Sequence, residues 1–346
     1  MRIRSLISAA MVSMLTAPAA LAETTITYNI FTPPTHFMWD VMRDWKAQVE
    51  EKTEGRVKIE FTAKSVAPPP KIYEAVRKGA ADGGFMANVF SQKFAPGTGV
   101  SMVPWVHRGD SEAASVAVSQ VYNKHFLGKD KWKGVELLGV FQFAAGTVCS
   151  VDGKPLASLD DLAARKFWTL PGNTSGMFKA LDIAIVSGPA VQVQELVSRN
   201  VVDAYAGITY DAIEKFGAGP YTAYCFDFEV APVSTSFSHF ISSKVWKKLS
   251  EEDRQALRDL SGDHLAAMVG AANNASQKAS LATLTEAGMK QETPAADLLA
   301  ALEKGAMPVE EKWLASIADY GLDGPAILTE LRVLTKKLTE ENAAGN

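Results

Sequence analysis

The chain switches repeatedly between two hydrophobic periods, and the switches mark its elements. Thr24 to Ile30 (TTITYNI) alternates apolar and polar side chains and reads as a strand. Phe31-Thr32-Pro33-Pro34 cannot continue it, because proline offers no ladder N–H. From His36 onward Phe37, Val41, Trp45 and Val49 recur every fourth residue, the stripe of an amphipathic helix that Gly55 closes. Arg56 to Thr62 returns to period two. A Pro68-Pro69-Pro70 turn leads to a helix over Lys71–Lys78, then Gly79 and a third strand entered at Ala80-Ala81-Asp82. Strands alternating with helices over short links predict a parallel sheet.

Beyond Asn88 the stretch Val89–Trp105 is aromatic and rich in Pro and Gly, followed by a helix from Ser111 to about His125 and a strand over Val135–Phe141. The α/β alternation then repeats from Gly146 to Tyr205. Leu159 to Asn173 (LDDLAARKFWTLPGN) predicts a helical turn, a strand over Lys166–Leu170 and a break at Pro171-Gly172-Asn173. Gln192 to Tyr205 (QVQELVSRNVVDAY) predicts an amphipathic helix and a strand through Val201, Val202 and Asp203. Two such strand-to-helix junctions bring chain ends to one crevice, where open α/β sheets bind ligands. Phe237–Ser242 reads as a strand returning to the first half. Ser250 to Ala287 lacks proline, starts on a Ser-Glu-Glu-Asp cap and carries only Gly262 and Gly270 as interruptions, which predicts one unusually long helix. A further helix over Ala295–Trp313 and a polar tail complete the chain.

Residues 1–22 add a location. Arg2 and Arg4, a short apolar run and Ala20-Leu21-Ala22 are the three parts of a secretory signal peptide, cut after Ala22. The expected mature chain therefore starts at Glu23 in the periplasm, with no segment inserted in the membrane. Removing Arg2 and Arg4 leaves 33 Lys and Arg against 39 Asp and Glu, a net charge of −6. No basic tract is present, which excludes nucleic acid and anionic membrane as partners. About 320 residues exceed what one core usually serves, so two lobes are expected. Cys149 and Cys225 are the only cysteines. In an oxidising compartment they either bridge or remain buried thiols.

The ordered phrases EKTEGRVKIE, PPPKIYEAVRKGAADGG, LASLDDLAARKFWTLPG, VQELVSRNVVDA and SKVWKKLSEEDRQAL resemble the periplasmic solute-binding subunits of tripartite ATP-independent (TRAP) transporters, family 7 of the bacterial extracellular solute-binding proteins. The likeness implies two α/β lobes closing on a ligand cleft, joined by crossing strands and one long helix, and delivery of solute to TRAP permease membrane subunits. Lobe I is expected over 23–145 plus about 236–275 and lobe II over 146–235 plus about 276–305, with 306–346 as C-terminal helices and tail. The family usually holds the ligand carboxylate with an arginine in a phrase like Lys-Ile-Arg-Val-Pro. Here the phrase is Lys166-Phe167-Trp168-Thr169-Leu170-Pro171, so Trp168 stands in the arginine's place, while Arg165 lies an odd step away on the other face. A second arginine would fall near Val148, and a common asparagine near Gly207.

An indole cannot fork onto an anion, but its π face attracts cations. The expected ligand is therefore a small cationic or neutral polar solute, such as an amino alcohol or quaternary amine. The expected contacts are Phe31, Asn88, Phe143, Thr147, Trp168, Asn173, Tyr205 and Tyr210, at or near strand ends. Phe141 and Gln142 lie close by. Asp211 or Glu214 would supply a counter-charge. His36 is expected to act as a cap or a surface group, and Asp203 to hold backbone in its turn. The alternatives are a carboxylate or sulfonate binder using other residues, and a ligand-sensing partner of a receptor kinase. Phosphate-loop, nucleophile-elbow and zinc-ligand motifs are missing, which argues against an enzyme, a catalytic residue, a cofactor or a metal.

Overall fold

A computed structural model describes residues 23–345, apart from 107, 108, 155, 229 and 231; the expected signal peptide lies outside the described residues. In chain order the elements are β1 (Thr24–Asn29), α1 (Met38–Lys52), β2 (Val57–Phe61), α2 (Ile72–Arg77), β3 (Gly83–Ala87), α3 (Ser111–His125), β4 (Val135–Gln142) and β5 (Thr147–Ser150). Then come α4 (Leu159–Ala163), β6 (Phe167–Thr169), α5 (Asn173–Ala180), β7 (Ile185–Ser187), α6 (Val193–Ser198), β8 (Ala204–Ile208), α7 (Tyr210–Lys215) and β9 (Tyr224–Phe226). The chain ends with β10 (Ser236–Ser242), α8 (Ser243–Trp246), α9 (Glu251–Asp259), α10 (Gly262–Glu286), β11 (Lys290–Glu292), α11 (Ala296–Ser316) and α12 (Gly324–Gly345).

Two sheets result, ordered β2-β1-β3-β10-β4 and β11-β9-β5-β8-β6-β7. In the first, β1 pairs β2 and β3 in parallel, as the β-α-β-α-β pattern predicts. β10 then inserts antiparallel between β3 and β4, so the chain crosses from the second lobe back into the first. The stripe Val41, Trp45 and Val49 of α1 is buried against Ile26, Tyr28 and Ile59. In the second sheet, Phe167, Val148, Ala204 and Ala206 bury one face against α5 and α11. Trp168, Tyr205, Cys149 and Cys225 bury the other against α6 and α7. The register sets Trp168 opposite Tyr205, Tyr205 opposite Cys149 and Cys149 opposite Cys225, a row across four strands. At its end the two sulfurs are bonded, so of the two open fates the cysteines form a disulfide.

The stretch after Ser250 differs from the single helix predicted. It is α9 followed by α10, broken at Leu260-Ser261, with Gly262 at φ +52°. Gly270, by contrast, lies inside α10 where a Cβ would collide with the backbone of Ser111 and Glu112, so it permits close approach of α3 rather than a break. α11 runs through position 305 without interruption and packs on α5, while α12 packs on α3. No helix among the described residues is long and apolar enough to cross a membrane.

Candidate functional site

Between the sheets lies a cavity with about 610 Å3 of atom-free space, part of it open to solvent. The loop after β1 contributes Phe31, Thr32 and His36, and the end of β4 contributes Phe143 and Ala144. From the second lobe come Leu170, the Pro189-Ala190-Val191 turn, Gly207 to Thr209, Ala212 and Phe216; Thr235 and Phe237 come from the crossing segment. Five phenylalanines line it, counting Phe90, and no lysine or arginine does among the described residues. Phe143 and Phe237 rings stand 4.0 Å apart. Across the cleft, Gln92 Nε2 donates to Asn173 Oδ1 at 3.2 Å and Asn173 Nδ2 donates to the Met102 carbonyl at 2.9 Å, so the lobes are in contact.

Polar groups in this wall are few and two are unusual. The hydroxyls of Thr32 and Thr235 are buried and have no hydrogen-bond partner. A buried hydroxyl without a partner costs free energy, so each is a vacant donor and acceptor held ready at the cavity.

His36 is neither a surface group nor distant from the cleft: it is 2% exposed and lines the cavity. Its Nδ1 accepts from the Met38 amide at 3.3 Å, as the expected cap would, which leaves the proton on Nε2. That Nε2 stands 3.3 Å from Asp211 Oδ2 on α7, a contact between the lobes. The geometry is off-line, so Oδ2 accepts no hydrogen bond, whereas Oδ1 accepts from Asn273 Nδ2 of α10 at 3.3 Å. Burial lowers the His36 imidazole to about 3, with Lys215 adding to the effect, and burial raises the Asp211 carboxyl to about 6. Near neutral pH the pair is thus a carboxylate beside a neutral ring. Lys215 itself pairs with Glu214 at 2.8 Å.

Of the residues expected at the site, Phe31 and Phe143 line the cavity. Trp168 does not. It is fully buried in the layer beneath α6 with Val193 and Val197, and its Nε1 has no partner. Leu170, on the same face two residues on, reaches the wall instead. Trp168 therefore sits two residues, about 7 Å, farther along the strand than the side chain that reaches the wall. Asn88 is buried among serines, donating to Ser236 and accepting from Ser238. Thr147 donates to the Phe226 carbonyl at 2.6 Å. Tyr205 is buried with its hydroxyl on Thr222, and Tyr210 donates to the Phe226 carbonyl. Asn173 bridges the lobes rather than lining the wall. Phe141 belongs to the core and Gln142 lies on β4 outside the cavity. Arg165 pairs with Asp152, away from the cleft, and Asp203 accepts from the Lys166 amide, holding the turn. Val148, in the place of the second arginine, is core, whereas Gly207 reaches the wall.

Sequence reasoning missed Thr32, Thr235, Phe216 and Phe237. A hydroxyl beside Pro33 and another beside strand β10 carry no local signal of vacancy; only the missing partner reveals it. No group of three His, Cys, Asp or Glu residues suited to a metal occurs among the described residues.

Two α/β lobes, a crossing strand and a cavity between them define the class: a two-lobed receptor with a cleft for a small molecule. Residues 28–316 match the bacterial extracellular solute-binding protein family 7, and the chain belongs to that family. Its members are periplasmic receptors of TRAP transporters that work with membrane permease subunits. A Comamonas testosteroni relative, described as outer membrane transporter protein TsaT, is 26% identical over 326 residues, covering 94% of this chain and 96% of its own. A TRAP periplasmic solute-binding protein of Bordetella bronchiseptica, solved with (R)- and (S)-mandelate, is 25% identical with a TM-score of 0.85, covering 91% of this chain and 99% of its own. Another from Rhodoferax ferrireducens, solved with benzoate, shares the fold at 19% identity and a TM-score of 0.81, covering 92% and 99%.

Proposed function

We propose that this chain captures a solute with a flat apolar body and one uncharged or positively charged polar end, such as an arylmethyl alcohol or arylmethyl amine, and hands it to a TRAP permease. One observation carries the reading: the phenylalanine-rich wall has no lysine or arginine among its described lining residues, and its His36 touches the buried Asp211 carboxylate, while Lys64 and Lys215 stand in the adjoining part of the cleft. Phenylalanine faces favour rings and cations. The apolar wall moves the expected small polar solute toward one with a substantial hydrocarbon part. Thr32 and Thr235 would hold the polar end, hydroxyls being able to donate or accept.

A second reading, an aromatic acid, is favoured by the mandelate held by the 25%-identical relative. In that case the two threonine hydroxyls would donate to the carboxylate without a guanidinium. Isothermal titration with benzyl alcohol, benzylamine, choline, mandelate and benzoate separates the two. The first reading expects the benzyl compounds to bind most tightly and choline, lacking a ring, weakly. Mandelate or benzoate binding more than about tenfold tighter than the benzyl compounds would establish the second. Export by cleavage after Ala22 belongs to the same proposal. Amino-terminal sequencing of periplasmic protein should begin at Glu23, and a chain still starting at Met1 refutes it.

A further inference from the structure

We propose that Asp211, acting through His36, sets which charge the cavity accepts and turns away solutes with an anionic end. The inference rests on the solute reading above and names the residue that enforces it. Asp211 is fully buried at the start of α7, with its amide donating to Gln277 Oε1 at 2.8 Å. The carboxylate is stabilised by Asn273, the Thr209 side chain and the amides of the helix start, while Oδ2 accepts no hydrogen bond in line and lies 3.3 Å from the imidazole edge. That imidazole is the layer between carboxylate and cavity: its ring lines the wall and stacks on Phe216 at 5.8 Å. With one nitrogen turned to the Met38 amide and the other to Asp211, the ring offers a solute only its face.

Lys215 is the one cation whose charge reaches this pair among the described residues, and it is shared with Glu214. On its own helix Lys215 is occupied by Glu214, α10 presents the neutral Asn273 and Gln277, and the lobe I loop presents a neutral His36. An anion entering the cavity approaches a buried carboxylate one side chain behind a low-dielectric wall, whereas an alcohol carries no charge for it to repel.

The experiment compares mandelate with benzyl alcohol, which differ in the carboxylate, by calorimetric titration of the full mature chain. Asp211→Asn removes the charge and keeps the shape. The ratio of mandelate to benzyl alcohol affinity should rise on the order of tenfold or more. A purely structural role would weaken both ligands together and leave the ratio where it was. A second arm needs no variant: mandelate is ionised both near pH 5 and near pH 7.5, but Asp211 takes up a proton on going through about 6. The wild-type ratio should therefore rise at the lower pH, and this arm decides if the variant does not fold. An unchanged ratio in the variant, or in the pH arm where the variant is unfolded, with wild type still preferring the alcohol, overturns the role of Asp211 alone. Wild type preferring mandelate near pH 7.5 overturns the solute reading and this inference with it.

Discussion

Replacing the vacant hydroxyls should make the protein more stable and a worse receptor at once. Thr235→Val and Thr32→Val remove a buried hydroxyl that has no partner and leave a side chain of nearly the same shape. Relieving such a group is worth about 1–2 kcal/mol to the solute-free fold. At about 2.1 cal/mol/K of unfolding entropy per residue, roughly 320 residues give about 1.5 °C in Tm per kcal/mol, so each variant should melt about 1.5–3 °C higher. The lost contact to the solute's polar end is worth about 0.5–1.5 kcal/mol, or about a 2- to 13-fold weaker Kd by titration with benzyl alcohol. The control is Thr98, equally buried but bonded to the Ala95 carbonyl at 2.7 Å and to Ser91. Thr98→Val should lower Tm and leave Kd unchanged. Opposite signs in stability and binding are the signature of a group kept vacant for a ligand. If Thr235→Val and Thr32→Val lower Tm, or raise it with no change in Kd, the hydroxyls are not waiting for a solute and the argument fails.

Three further outcomes follow from the buried groups. Cys149→Ala with Cys225→Ala opens a loop closed over 76 residues, which chain entropy values at about 4.5 kcal/mol; an unfolding midpoint equal to that of the oxidised protein would contradict it. Trp168→Phe, which loses an unpartnered N–H along with part of a ring, should change stability by less than about 1.5 kcal/mol and not alter solute affinity, whereas Trp168→Arg should cost more than about 4 kcal/mol by burying an unpaired cation. Urea titration reads both. Between about pH 4 and 6 the folded pair holds its proton on Asp211 and the unfolded pair on a histidine, so proton counts match and the wild-type pair adds no pH slope. Asp211→Asn leaves the lowered His36 alone, so stability should fall by about 1.4 kcal/mol per unit as pH drops below 6.5; His36→Gln leaves the raised Asp211 alone, so stability should instead rise from pH 6 toward 4.

What the sequence made legible was local and periodic. Val41, Trp45 and Val49 announce the buried face of α1 because a helix repeats every 3.6 residues, and Thr24–Ile30 announces β1 by alternation. The order of phrases carried the family and the two-lobed plan. Gly262 and Gly270 were weighed alike, yet one opens a helix after Ser261 and the other admits a neighbouring helix; the Ser261-Gly262-Asp263 phrase is the local signal that separates them. Period two places Trp168 and Leu170 on the same side of β6, but only the pairing of Trp168 with Tyr205 and the cover of α6 show which of them opens onto the cleft.

The same reasoning explains why Asp211 was legible only as one of two possible counter-charges, and its pairing with His36 not at all. They are 175 positions apart in the chain, and neither is unusual among its own neighbours. Folding alone makes them adjacent, since each belongs to a different sheet's lobe. A charge that a solute would feel is therefore created by tertiary structure, not by a motif. Under the proposed solute reading, a buried carboxylate behind the cavity wall is a reason for anions not to bind, so Asp211, rather than the deeper Trp168, is the residue whose replacement tests the charge preference.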